Sequence, residues 1–135
     1  MAIYADEIYI PKNTNISNPE KKAFYVSLGT LDVVEIRFKG RFGGLVGVRI
    51  YDRGNQIIPQ MSGKWLVSDR ETVIINEYSR KLDGPPYIIN VEAYNLDDTF
   101  NHTPELRFIL VEKTLQQSIE DLISEIRTLI KKLGR

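Results

Sequence analysis

The chain contains no cysteine, a single histidine and a single tryptophan among its 135 residues. The missing thiols exclude a disulfide framework, thiolate metal ligation and a cysteine nucleophile. One imidazole is too few for a catalytic zinc site, which takes two or more nitrogen or sulfur ligands. A Ser-His-Asp arrangement would have to recruit His102, and none of the serines lies in a G-x-S-x-G elbow. Two carboxylates suffice for a glycosidase, but nothing marks one pair among the 18 acidic residues. Neither G-x-G-x-x-G nor G-x-x-x-x-G-K-S/T occurs, so the glycines of GRFGGLVG (40–47) do not form a phosphate loop. No catalytic residue, cofactor or metal is expected.

A surplus of one charge is missing too. Lysine plus arginine equals aspartate plus glutamate, 18 each. A nucleic-acid binder carries a basic surplus to displace phosphate counterions, so that class is set aside. A neutral surface also offers little electrostatic resistance to self-association. No run approaches the roughly 18 apolar residues of a membrane span, which sets the membrane aside as a partner. The opening MAIYADEIYIPKN lacks a basic-then-apolar signal pattern, so synthesis in the cytoplasm without signal-peptide secretion is expected.

What is present reads as β over residues 1–112. In VVEIRFK (33–39), Val34, Ile36 and Phe38 alternate with Glu35, Arg37 and Lys39, the period of a strand with one wet face. IYADEIYI (3–10), AFYVSL (23–28), LVGVRIYD (45–52), QIIP (56–59), TVIIN (72–76), PYIINVEAYN (86–95) and ELRFILVEK (105–113) complete the set. Arg53-Gly54-Asn55 is a tight hairpin signal. About seven or eight short strands broken by Gly, Pro and Asn predict an all-β, antiparallel sandwich or jelly-roll-like domain. Residues 1–22 are expected to be an extended N-terminal segment, and the loop chemistry of KNTNISNPEKK allows it to reach over a neighbour. Gly47 leaves room for a bulky ring beside its strand, and Trp65 is expected in the core.

The grammar changes at TLQQSIEDLISEIRTLIKKLGR (114–135). Thr114 and Gln117 match a capping box, and Gly134 marks a stop. Leu115, Ile119, Leu122, Ile126, Leu129 and Leu133 step by 4, 3, 4, 3, 4, a heptad seam with isoleucine or leucine at a and leucine at d. Ile123 and Ile130 add a third apolar column at e. This predicts an α-helix over 114–134 with coiled-coil heptads. A helix of this length is marginal alone in water, so it buries that face on copies of itself or on its own sheets. The e-position isoleucines widen the seam beyond the needs of two strands and favour a trimer.

YNLDDTFNHTP (94–104) gathers Asp97, Asp98 and His102 in one short stretch. Adjacent aspartates on a strand point to opposite faces, and the spacing is not that of a calcium loop. Asn, Asp, Thr and Pro close turns through side-chain to backbone hydrogen bonds, so a turn is expected, serving as a contact loop. Arg41 and Phe42 in GRFGG (40–44) are a second candidate contact tip.

The succession GGLVGVRI (43–50), QIIP (56–59), GKWLVSDRETVII (63–75), LDGPPYIINVEAYNLDD (82–98) and His102-Thr103 resembles small β-sandwich structural proteins of head-tailed viruses, of the capsid decoration or cement kind. The resemblance implies a non-enzymatic virion component. It would bind copies of itself and a capsid or other virion protein. It carries over no catalytic residue, and the heptad tail lies outside its pattern. The alternative is a carbohydrate- or receptor-binding β-sandwich module of a trimeric fibre, which requires an exposed aromatic cluster.

Overall fold

The computed structural model describes residues 1–38, 43–68, 72–112 and 115–134, with the backbone alone at 68, 72–79 and 115–118. Along the chain come β1 (Ala2–Glu7), β2 (Glu20–Val26), β3 (Thr30–Phe38), β4 (Val46–Asp52), β5 (Asn55–Ile58), β6 (Leu66–Ser68), β7 (Thr72–Lys81), β8 (Tyr87–Asn95), β9 (Glu105–Val111) and α1 (Leu115–Leu133). The strands form two antiparallel sheets. One has the order β1-β9-β3-β7; the other has β2-β8-β4-β5, with β6 also on β4.

The pairing follows a simple rule. The first four strands pair, in order, with the later ones in reverse: β1 with β9, β2 with β8, β3 with β7, and β4 with β5 and β6. Further ladders, β3 with β9 and β4 with β8, join these pairs into sheets.

Alternation decides which side chains meet. Val46, Val48 and Ile50 of β4 and Ile89, Val91 and Ala93 of β8 are buried, as are Leu106, Phe108 and Leu110 of β9 and Val34, Ile36 and Phe38 of β3. All belong to one cluster drawn from both sheets. Phe24 of β2 meets Phe108 of β9 edge-on across it, with ring centroids 5.0 Å apart. The period breaks once inside β3: a register shift between Leu31 and Val33 lets Leu31 and Val34 both face inward.

Two expectations need correction. The N-terminal segment forms the strand expected near 3–10 but lies on its own sheet and does not reach outward: β1 pairs with β9 from Ala2↔Leu110 to Glu7↔Glu105, and Ile8 and Ile10 are core residues. Isolated bridges Ile10↔His102 and Thr14↔Asn95 fix the following loop to the body. Nor is Trp65 in the core; it is half-buried outside the cluster. The strand expected at 72–76 continues to Lys81 as β7, through the polar residues Asn76 to Lys81.

The hairpin at Arg53-Gly54 forms as expected, with Asp52 opposite Asn55. Asp52 at the end of β4 is fully buried and is held from the other sheet. Arg80 of β7 approaches it at 3.2 Å, and the Asp83 N–H donates to it at the same distance. Removing one partner of a buried pair leaves an uncompensated charge. Arg80→Met is therefore expected to cost about 3 kcal/mol, the lower end of the range for buried pairs because the arginine is partly exposed. Urea denaturation should show Asp52→Asn added to Arg80→Met recovering most of that loss.

Candidate functional site

The loop after β8 is built around two side chains. Asn95 is fully buried; its amide donates to the Ile10 carbonyl at 3.1 Å and the Phe100 carbonyl at 3.0 Å, and its oxygen accepts from the Asp97 N–H. Asp97 then closes the turn. One carboxylate oxygen accepts from the N–H groups of Thr99 (2.9 Å) and Phe100 (3.3 Å), and the other lies 2.9 Å from His102 Nε2. The Thr99 N–H and then His102 hold the Asp97 carboxyl below its ordinary 3.8. Asp98 is exposed and bonds Thr99 Oγ1 instead. The structure thus brings Asp97 and His102 together and separates Asp98 from them. Among the described residues, no group of three or more His, Asp or Glu side chains is placed to hold a metal ion.

This turn is one part of a composite end. The Asn13 N–H donates to the Asp97 carbonyl, and Ile10 and His102 exchange both backbone bonds. Lys12 N–H reaches Asn101 Oδ1. The Leu96 N–H donates to the Leu45 carbonyl, which joins the turn to the chain beside 40–44. Arg41 and Phe42 lie outside the described residues. Tyr9, Ile16, Leu45, Leu96 and Phe100, on these linked segments, are all exposed. β9 leaves this end at Glu105 and delivers the chain at Val111 to α1, so the loop cluster and the helix occupy opposite ends of one strand.

The outer face of the second sheet carries a cluster that sequence reasoning missed. Gly47 is paired with Tyr94, and a Cβ on Gly47 would lie 2.2 Å from the Tyr94 ring. The ring occupies that space, and Trp65 packs edge-on against it at 4.8 Å. Arg49 stacks on the Trp65 ring at 3.9 Å and is held by Glu92 at 2.9 Å. Gln56 organises the loop before Trp65, its amide donating to the carbonyls of Pro59, Met61 and Lys64 while its oxygen accepts from the Gly63 N–H. Burial pushes the Tyr94 hydroxyl above its ordinary 10.0. The sequence signal was Gly47 alone; partners 18 and 47 residues away gave no local cue. Arg49 covers one of the two Trp65 faces on which a sugar ring would stack.

The first sheet's outer face shows a shallow depression of about 410 Å³ with Glu35, Arg37, Glu105 and Arg107 in its lining. Arg107 and Glu35 pair at 3.6 Å, both partly exposed, the pattern of a solvated charged face.

The helix differs from every other surface. Ile119, Leu122, Ile123, Ile126, Leu129, Ile130 and Leu133 are between 43% and 83% exposed. Every described side chain from Ile119 to Gly134 is exposed, so this apolar face is not laid on the chain's own sheets. Leu115 is placed in the helix by its backbone, and Thr114 of the expected cap lies outside the described residues.

The chain matches no family model, no curated protein and no solved structure.

Replacing Asn95 by alanine removes three hydrogen bonds: the half-buried Phe100 carbonyl and Asp97 N–H lose this partner, while the Ile10 carbonyl keeps its bond from the His102 N–H. Asn95→Ala is expected to lose about 1–3 kcal/mol in chemical denaturation. Asp97 generates a pH prediction. Its folded value lies below 3.8, so its contribution is complete above that pH and is lost as pH falls through the folded value. Thermal melts of Asp97→Asn should fall less steeply with acidification below pH 3.8 than those of the parent.

Proposed function

We propose that this chain is a non-enzymatic structural protein: a jelly-roll β-sandwich that self-associates through α1 and attaches by its loop end to a capsid or other virion surface. The observation that carries the reading is the uncovered apolar stripe of α1, with seven large side chains from Ile119 to Leu133 exposed on one helix. A helix of this length gains little from propensity alone and draws its stability from burying such a stripe. Steps of 4 and 3 along the stripe support a coiled coil, whose seam needs that spacing.

The reversed pairing of early with late strands supports the jelly roll, since it describes one long antiparallel ribbon wound across two sheets. The core cluster common to both sheets supports the sandwich. Attachment draws on the loop end, where Leu96 and Phe100 are exposed on a turn fixed by Asn95 and Asp97, with exposed Leu45 bonded to it through its carbonyl. A rigid tip presenting apolar side chains suits a contact made without an ordering cost. The virion assignment itself rests on the resemblance of roughly residues 3–110 to decoration and cement proteins.

Light scattering on the full chain is expected to give an oligomer. Ile126→Asp is expected to return it to a monomer with its β-type circular dichroism intact. A monomeric parent chain would overturn the association reading. Particles purified on a density gradient from the source of the chain are expected to carry the protein, and its absence from them would overturn the virion assignment.

A further inference from the structure

Resting on the self-association proposed above, we infer that α1 pairs antiparallel with α1 of a second copy, which puts the two β domains at opposite ends of a common helical bar. The charge pattern selects both the occupant and its direction. Glu120, Asp121 and Glu125 precede Ile126 with no basic residue among the helix positions before it. Arg127, Lys131 and Lys132 follow with no acid. A parallel pair would set each block beside its own copy, acid on acid and base on base. Ser124 is the midpoint of Leu115–Leu133. An antiparallel pair centred there sets the acidic block of each helix at the height of the second copy's basic block, Asp121 level with Arg127 though on the opposite flank, and moves the two lysine ends apart. Only Glu125, next to the midpoint, meets its own kind.

The helix's internal pairs agree. Asp121 and Glu125 are four residues apart and like-charged, and so are Arg127 and Lys131. Such spacing is unfavourable in an isolated helix. Opposite charges supplied by a reversed second copy offset it, whereas a parallel copy would add to it.

The apolar columns fit the same direction. Centring on Ser124 keeps every seam layer filled, with Ile119 level with Leu129 of the second copy, Ile126 with Leu122, and Leu133 with Leu115. The e column then decides. In a parallel coil e faces the neighbour's g, so Ile130 would lie against Glu125 and Ile123 against Ser118. Reversing one helix turns e toward e, and Ile123 meets Ile123. The arrangement takes an even number of copies, a dimer or a pair of dimers, in place of the trimer expected from the wide seam.

The absence of cysteine makes a direct test clean. Spin labels would be placed on full-length Ser124→Cys and, separately, Gly134→Cys, and distances read by double electron-electron resonance. Ser124 is at f, on the outer side of the pair, so its labels are expected about 20 Å apart, two helix diameters. The Gly134 labels should lie farther apart, through an axial offset of about 30 Å, twenty residues of rise. Equal separations at both positions would overturn the antiparallel pairing while leaving self-association standing. No dipolar coupling at either position would mark a monomer and overturn both. Raising salt is expected to weaken association several-fold, because opposed charges are screened; tightening with salt would count against the pairing.

Discussion

The inward side chains of two sheets share one space, and Phe24 against Phe108 marks where they meet. Much else follows from filling it. Alternate residues of β2, β3, β4, β8 and β9 are consumed by this cluster, so their neighbours are left to the outer faces, where charged pairs and the Trp65 cluster sit. The two sheets cover each other's inner faces. The helix that follows β9 lies outside that shared space, and its described apolar side chains from Ile119 to Leu133 stay in water within a single chain.

Polar groups fix what the apolar core leaves loose. A sandwich core specifies little about its ends, where turns need their own bonds. Asn95 ties the turn after β8 to the segment after β1, and Asp97 sets the turn's curvature. At another edge, Asp52 and Arg80 join the sheets by a charge pair in which the acid is fully buried. Such groups are costly if a register slips, because each would lose its partners.

Much of this was legible in residue order where one local rule acts alone. Val34, Ile36 and Phe38 announced their strand because every second residue faces the core. The 4-3 steps announced the helix, and the Asn-Asp-Thr chemistry of 95–104 announced a turn. Legibility ended where distant residues decide. The polar half of β7 is ordered by pairing with β3, which no local apolar pattern reveals. Residues 3–10 announced a strand but not where it pairs, because the partner of β1 lies about a hundred residues on, at 105–110. Trp65 packs on the outer face against Tyr94, whose ring fills the space above Gly47, a placement that needs the sheet register to be known. Arg41 and Phe42 lie outside the described residues, so their role as a contact tip rests on sequence alone.

The route of β9 has a mechanical meaning. A pull applied between the loop end and the helix enters β9 at Glu105 and leaves at Val111, running along the strand. β9 is an inner strand, bonded to β1 on one side and β3 on the other. Ladder bonds in antiparallel sheets lie across the strands, so such a pull loads both ladders in shear, many bonds at once. Peeling would break them one by one at far lower force. A tether whose two attachment points sit on the ends of a doubly held strand transmits tension through the fold's most resistant direction.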